Sequence, residues 1–526
     1  MELLQSILST WPLLATLLPL TLLYLLLTTL LTYFRPSLRS LPGPFLARIS
    51  SLPRLWTCYT GSQHLHHLHL HDKYGPFVRV GPNHVSFSNP SLIPVVYSIS
   101  SKFVKSDFYT LFDIKTPAGA MPTIFSVRDE AVHKGFKRPV AGAYAMSALR
   151  ELEGGVDECT EIFMGKMEER VGGEVDLGVW VHWYAWDTIT TLTFSNRLDF
   201  MAREQDIQGI ISAINARLKY NSIIGQAPWL HKYIFGNRFA AYLATFIPSL
   251  AILNSSKYIV DFTAAQLRHH QSLDSKPPSS PSEGPGHRPK AGYPDMLSRF
   301  RRSPALSSSE LLSHATGNIF AGSDTTAASL RSIFYHLCLS PSALSTLQNE
   351  ISTASAKGNL SDPVTFAEAQ ALPYLQAVIK EALRMHPAVG LLLERLAPSP
   401  EGLTLPNGIH LPAGTVVGMN PWVSARDPLV YPSPYTFKPE RWLEASEEEL
   451  KLMERNFLAF GGGSRTCLGK NISLLEMGKL VPQVLRRFEF ELAEPGKEWV
   501  MEDYWFVQQR ELVCRVKRRE GGMKEG

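Results

Sequence analysis

The richest chemistry in the chain is one cysteine in a glycine-rich loop, Phe460-Gly-Gly-Gly463-Ser-Arg465-Thr-Cys467-Leu-Gly469. A thiolate is a metal ligand, and a nearby cation favours it over the thiol. Arg465, two residues before the cysteine, supplies that charge. Glycines let a backbone come close to a flat cofactor and turn its amides toward a sulfur. The stretch suits a cysteinate on haem iron, with Phe460, Gly463 and Gly469 shaping the loop against the cofactor. Haem carboxylates need cations, and Arg465 is the first candidate.

Other readings of the loop fit less well. A phosphate-cradling loop needs Gly-Lys followed by Ser or Thr, but Gly469-Lys470 is followed by Asn471 and Ser464 replaces the first glycine. Structural zinc needs further Cys or His ligands at short spacing, and none lies nearby. A nucleophilic cysteine stays open, although the sequence names no partner histidine.

A second unusual stretch is Ala321-Gly322-Ser323-Asp324-Thr325-Thr326. The pattern Ser307-Ser-Ser-Glu310 predicts a helix N-terminus, and the helix should run to near Ser340-Pro341. At ~1.5 Å per residue, about thirty residues span ~45 Å, a whole domain. Small residues, an acid and hydroxyls are locally unfavourable inside a helix. They mark either a functional position or a close crossing of two helices. Beside a haem, the missing bulk makes room for dioxygen and substrate, and an acid can feed protons through water. Further on, Glu381 and Arg384 share a helix face. Apolar neighbours and the His386-Pro387 stop predict burial, and a buried pair needs a third partner.

The elements that must hold these residues begin with an unusual N-terminus. No charge occurs between Glu2 and Arg35, and Leu13 to Phe34 is mostly leucine. About 20 apolar residues cross ~30 Å of hydrocarbon, so residues 1–34 are expected to be an uncleaved membrane anchor. A cleaved signal peptide would start with positive charge and carry a small-residue cleavage site. Arg35 and Arg39 place the following chain on the cytosolic side. Residues 35–48, around Leu41-Pro-Gly-Pro44, are expected to be a stiff hinge. Residues 49–526 are expected to form the catalytic domain, with a strand within Tyr74–Pro82 and a flexible surface loop at 276–293.

Bulk properties narrow the classes. The chain has 526 residues, 44% of them hydrophobic, enough for a large core. Lys plus Arg (52) nearly balance Asp plus Glu (48), so nucleic acid is not expected as a partner. Five cysteines, an odd number, argue for a reducing compartment. The three Asn-x-Ser sites at Asn254, Asn359 and Asn471 are read as unused.

Taken together, the anchor, hinge, helix motif, Glu381-x-x-Arg384, Phe437-Lys-Pro-Glu-Arg441-Trp442 and the cysteine loop resemble the cytochrome P450 family in order and spacing. His71-Asp-Lys-Tyr-Gly-Pro-Phe-Val-Arg-Val-Gly-Pro-Asn83 and Trp505-Phe-Val-Gln look like filamentous-fungal members of the pisatin demethylase-like group. The resemblance implies a mainly α fold with a small β region, preceded by a single transmembrane helix. It implies haem b ligated by Cys467, and catalytic roles for Thr325 as hydroxyl donor and Asp324 as proton relay. Arg441 would complete a structural triad with Glu381 and Arg384. Arg395, His133 and Lys137 match positions that bind haem propionates, although His133 and Lys137 replace the tryptophan and arginine often found there.

The implied activity is a monooxygenase acting on a lipophilic small molecule. Its electrons would come from NADPH through a membrane-bound flavoprotein reductase, with cytochrome b5 as a further partner. The setting would be the endoplasmic reticulum membrane. Lys470 and Lys479 are candidates for the reductase-facing surface. Two rivals remain at this stage: a haem-thiolate enzyme that rearranges, dehydrates or couples its substrate, and a non-catalytic haem sensor or membrane scaffold.

Overall fold

The computed structural model describes residues 19–20, 23–24, 26–116, 119–234, 237, 242, 252, 254–274 and 295–519. Most of the expected anchor and all of the expected 276–293 loop lie outside the described residues. Among the described residues, no helix is long and apolar enough to cross a membrane.

The helices that position the site are α1 (Glu130–Lys137), α2 (Glu153–Glu168), α3 (Leu177–Phe194), α4 (Ile210–Ile224), α5 (Ser255–Asp274), α6 (Ser308–Leu339), α7 (Pro373–Met385) and α8 (Lys470–Arg487). The capping pattern read from the sequence starts α6. The Ser307 hydroxyl accepts from the Glu310 amide, and the Glu310 carboxylate accepts from the Ser307 amide. Ser340-Pro341 ends it at Leu339. α3 is buried around almost its whole circumference and is therefore a core helix. It packs along α6, where a Cβ on Gly322 would come within 2.6 Å of Ile189 Cγ1. The helix-crossing role weighed for this glycine is thus present.

A five-stranded sheet lies beside the helices. Its strands are β1 (Phe77–Gly81), β2 (His84–Phe87), β3 (Val104–Lys105), β4 (Arg395–Leu396) and β5 (Val416–Gly418), in the order β1-β2-β5-β4-β3. β2 and β5 run parallel, and the other neighbours are antiparallel. The β3–β4 register sets Lys105 opposite Arg395. A C-terminal hairpin, β6 (Met501–Tyr504) and β7 (Phe506–Gln509), turns through Trp505.

Glu381, Arg384 and Arg441 meet in the interior. The Glu381 carboxylate accepts from Arg384 Nε (2.9 Å) and Nη2 (2.8 Å), from Arg441 Nε (3.0 Å) and from the Trp442 indole (2.9 Å). The two guanidinium groups also donate to the carbonyls of Ala425, Pro432 and Pro434. α7 is thereby fastened to the 425–442 segment. Trp442 packs with Phe457, from which the chain enters the cysteine loop.

Lys479 corrects an expectation. It is buried, with its amine 2.5 Å from Glu153 and 2.7 Å from Asp157 of α2. It therefore ties α8 to α2 and is not on a docking face. Lys470 is exposed, with its amine 5.6 Å from the centre of the Phe460 ring.

Candidate active site

The cysteine loop is closed by the Cys467 amide donating to the Phe460 carbonyl at 2.9 Å. Cys467 is exposed, but the surface it exposes is the wall of an internal cavity of about 330 Å³. The surrounding protein raises its thiol pKa, while the amides of Gly469 and Lys470 and the Lys470 charge act in the opposite sense. Amides directed at sulfur are what a buried thiolate ligand requires.

The glycines of the loop divide their work. Gly461 (φ +68°) borders the cavity. Gly463, expected to shape the loop against the cofactor, is not among the residues that border the cavity. It has φ +63°, and a Cβ there would run into the Tyr97 carbonyl, so its task is to let the loop pass Tyr97 and Ser98. Gly463→Ala combines a left-handed backbone with that clash and should cost more than about 2 kcal/mol. A denaturant midpoint shift checks this.

The opposite wall comes from α6. Gly322 and Thr325 border the cavity, and the Thr325 hydroxyl donates to the Ala321 carbonyl at 2.9 Å. Asp324, one residue and ~100° further around the helix, points away from the cavity. Its Oδ1 lies 2.6 Å from His182 Nε2 on α3, while Oδ2 has no partner among the described residues. The expected acid is therefore present but reaches the cavity only around the helix, and its partner His182 was not foreseen. Thr326 pairs with Ser473 at 2.9 Å, in keeping with a packing role.

Cations gather at one end. Arg465 borders the cavity and donates to Glu130 at 2.7 Å and to the Val127 and Arg128 carbonyls. Lys137 borders it too and donates to the Ser464 carbonyl at 3.3 Å, whereas Arg138 is exposed elsewhere. His133 is buried on the wall, and burial with the nearby Arg465 charge lowers its pKa to about 4. It is thus a neutral donor at physiological pH. Arg395 is not among the lining residues. It lies between two tyrosines, its guanidinium 5.2 Å from the Tyr97 ring centre and 5.9 Å from that of Tyr109.

Its register partner Lys105 takes the place on the wall instead. The Lys105 amine donates to the Phe125 carbonyl and lies 4.3 Å and 4.1 Å from the Tyr109 and Phe125 rings. Burial, then the charges of Arg395 and Arg465, push its pKa well below the usual lysine value. Three cations thus repel one another, with Glu130 as the nearby carboxylate and Glu394 held by Arg54 and Ser106. A bound dianion relieves that repulsion. A thiol on the wall, small residues opposite and surplus positive charge at one end are a donor set that fits haem.

Phe112, Phe125, Asn221, Val389 and Trp505 line further parts of the cavity. Helix α5 adds Ser256, Ile259 and Val260, which were not anticipated. Asn471 donates to the Tyr144 carbonyl at 2.9 Å, which leaves no place for a glycan.

The sequence profile described as Cytochrome P450 matches residues 42–513. The chain belongs to the cytochrome P450 family. It is 37% identical to "Cytochrome P450 monooxygenase cicH" of Emericella nidulans, over 94% of this chain and 96% of that one. It is 38% identical to "Cytochrome P450 monooxygenase pkfB" of the same species, over 95% of each. It is 34% identical to "Pisatin demethylase" of Fusarium vanettenii, over 95% of this chain and 94% of that protein. The fungal resemblance read from the sequence holds, and the chain is a cytochrome P450 monooxygenase. Membership implies a haem-thiolate centre and electrons from a redox partner.

Proposed function

We propose that this P450 inserts one atom of dioxygen into a lipophilic small molecule, as a hydroxylation, epoxidation or demethylation in fungal secondary metabolism. The observation that carries the reading is Cys467 and Thr325 on the walls of one internal cavity. When bound, a thiolate-ligated haem supplies the redox centre that favours oxygen–oxygen cleavage. Cys467 would ligate its iron. Arg465, Lys137, His133 and Lys105 would hold its carboxylates, with Arg395 adding charge from behind. Gly322 lets α3 pack against α6 where they border the cavity, and the aromatic walls would exclude water and bind apolar substrate. The Thr325 hydroxyl, bonded to the Ala321 carbonyl in this structure, would turn its proton to the cavity, and the Asp324–His182 pair would resupply it through water.

NADPH is the proposed electron source, through a flavoprotein reductase docking near exposed Lys470, with cytochrome b5 as a second donor. The charge-free leucine-rich N-terminus supports anchoring in the endoplasmic reticulum membrane, with the catalytic part facing the cytosol. The described leucines near it, among them Leu20, Leu23 and Leu31, are exposed. Retention of both the acid and the hydroxyl favours oxygen activation over rearrangement, dehydration or a sensor role, none of which needs a proton supply.

The test is turnover in microsomes with a reductase under labelled dioxygen. One labelled oxygen in the product is expected, or for a demethylation formaldehyde released with matching NADPH consumption, and product with neither would instead favour the rearrangement reading. In the same assay Asp324→Asn should slow product formation about a hundredfold. Thr325→Val should divert NADPH consumption into peroxide. Variants that both keep the native rate and coupling would remove the proton route.

A further inference from the structure

One stretch of the cavity wall has chemistry that neither haem binding nor apolar substrate binding uses. Arg217 and Asn221 lie four residues apart on α4, hence on one face, and both border the cavity. They are almost completely enclosed, at 3% and 0% exposure. Arg217 is fixed by donating to the Leu111 carbonyl at 2.6 Å and by the Tyr220 ring, 5.0 Å away. Asp113, also on the wall, offers it a counter-charge. Neither Oδ1 nor Nδ2 of Asn221 has a hydrogen-bond partner among the described residues. On α6, the buried Thr316 hydroxyl borders the same cavity and is also without one.

A buried amide with both atoms unpaired costs about 1–3 kcal/mol per group. Native proteins keep few such groups without a reason. An apolar substrate would leave that cost in place. A ligand edge offering an acceptor and a donor side by side would remove it, because Asn presents a donor and an acceptor in one plane. Carboxamides and protonated carboxylic acids carry such an edge, whereas an ionised acid would accept from Asn221 Nδ2 and take its second bond from the neighbouring guanidinium.

We infer that Asn221 and Arg217 form a polar recognition site for a carboxylic acid or carboxamide on an otherwise lipophilic substrate. The inference rests on the monooxygenase reading and narrows its substrate class. Esters, which have neither the donor nor the negative charge, are disfavoured by the same chemistry. A site built to hydrogen-bond a group discriminates strongly against analogues without it.

The experiment titrates the haem-loaded full-length protein with biphenyl-4-carboxylic acid, its carboxamide and its methyl ester, following the spin-state change of the haem. Acid and amide are expected to bind at least about tenfold more tightly than the ester. Asn221→Leu should reduce that preference to about twofold or less. Asn221→Asp keeps the shape, replaces the amide donor with a second acceptor, and should weaken the acid by about tenfold. Arg217→Gln should weaken the acid more than the amide, which tells the two ligand chemistries apart. Equal affinities for the three compounds, no binding of acid or amide up to their solubility, or full preference in both Asn221 variants would overturn the inference. The carbonyl spectrum of each sample separates the two failures. A lost thiolate band in the native protein would count against the monooxygenase reading, and an intact band with flat preference only against the recognition site.

Discussion

Cys467→Ser is expected to lose the long-wavelength Soret band of a thiolate-ligated ferrous carbonyl and at least about a thousandfold in monooxygenase turnover. Serine keeps the loop's shape and its amide bond to Phe460, so folding should survive. What changes is the donor atom. A hydroxyl stays protonated where a thiol can ionise, and the Gly469 and Lys470 amides now face an oxygen that gives the iron little electron density. Difference spectra under carbon monoxide and product formation read the two effects separately. An unchanged spectrum would mean that the cysteine is not the iron ligand.

Glu381→Ala should have the largest effect on stability, about 3–5 kcal/mol. The wild-type carboxylate is wholly buried and takes hydrogen bonds from Arg384, Arg441 and Trp442. Removing it leaves two enclosed guanidinium groups without a counter-charge and an indole N–H without its acceptor. Glu381→Gln keeps an oxygen acceptor but no charge and should fall in between. Urea unfolding with an unchanged slope measures the loss, and haem retention shows whether the cysteine loop goes with it. A change in Glu381→Ala below about 1 kcal/mol, the range of exposed pairs, would rule out the buried triad as a clamp.

How much of this was legible in the sequence depends on range. The α6 start was read correctly because a capping box is written in four adjacent residues. Burial of Glu381 and Arg384 followed from their neighbours. The same local reasoning does not separate Gly463 from Gly461, since both have positive φ and only the position of Tyr97 distinguishes their surroundings. Lys105 carries no local sign of its place. It reaches the cationic end through the register of two two-residue strands. Lys479 reads as a solvated lysine until α2 is packed against α8. His182 lies 142 positions from Asp324, and only the α3–α6 crossing brings them together.

That crossing has a consequence for how this catalyst can diversify. The carboxylate of Asp324 looks into the seam between two core helices and not into the chamber where a guest resides. A bulky guest can fill the chamber without drying out or displacing the acid. Residues such as Asn221 and Phe112 are therefore free to be exchanged for new guests while the route by which hydrogen ions arrive stays as it is.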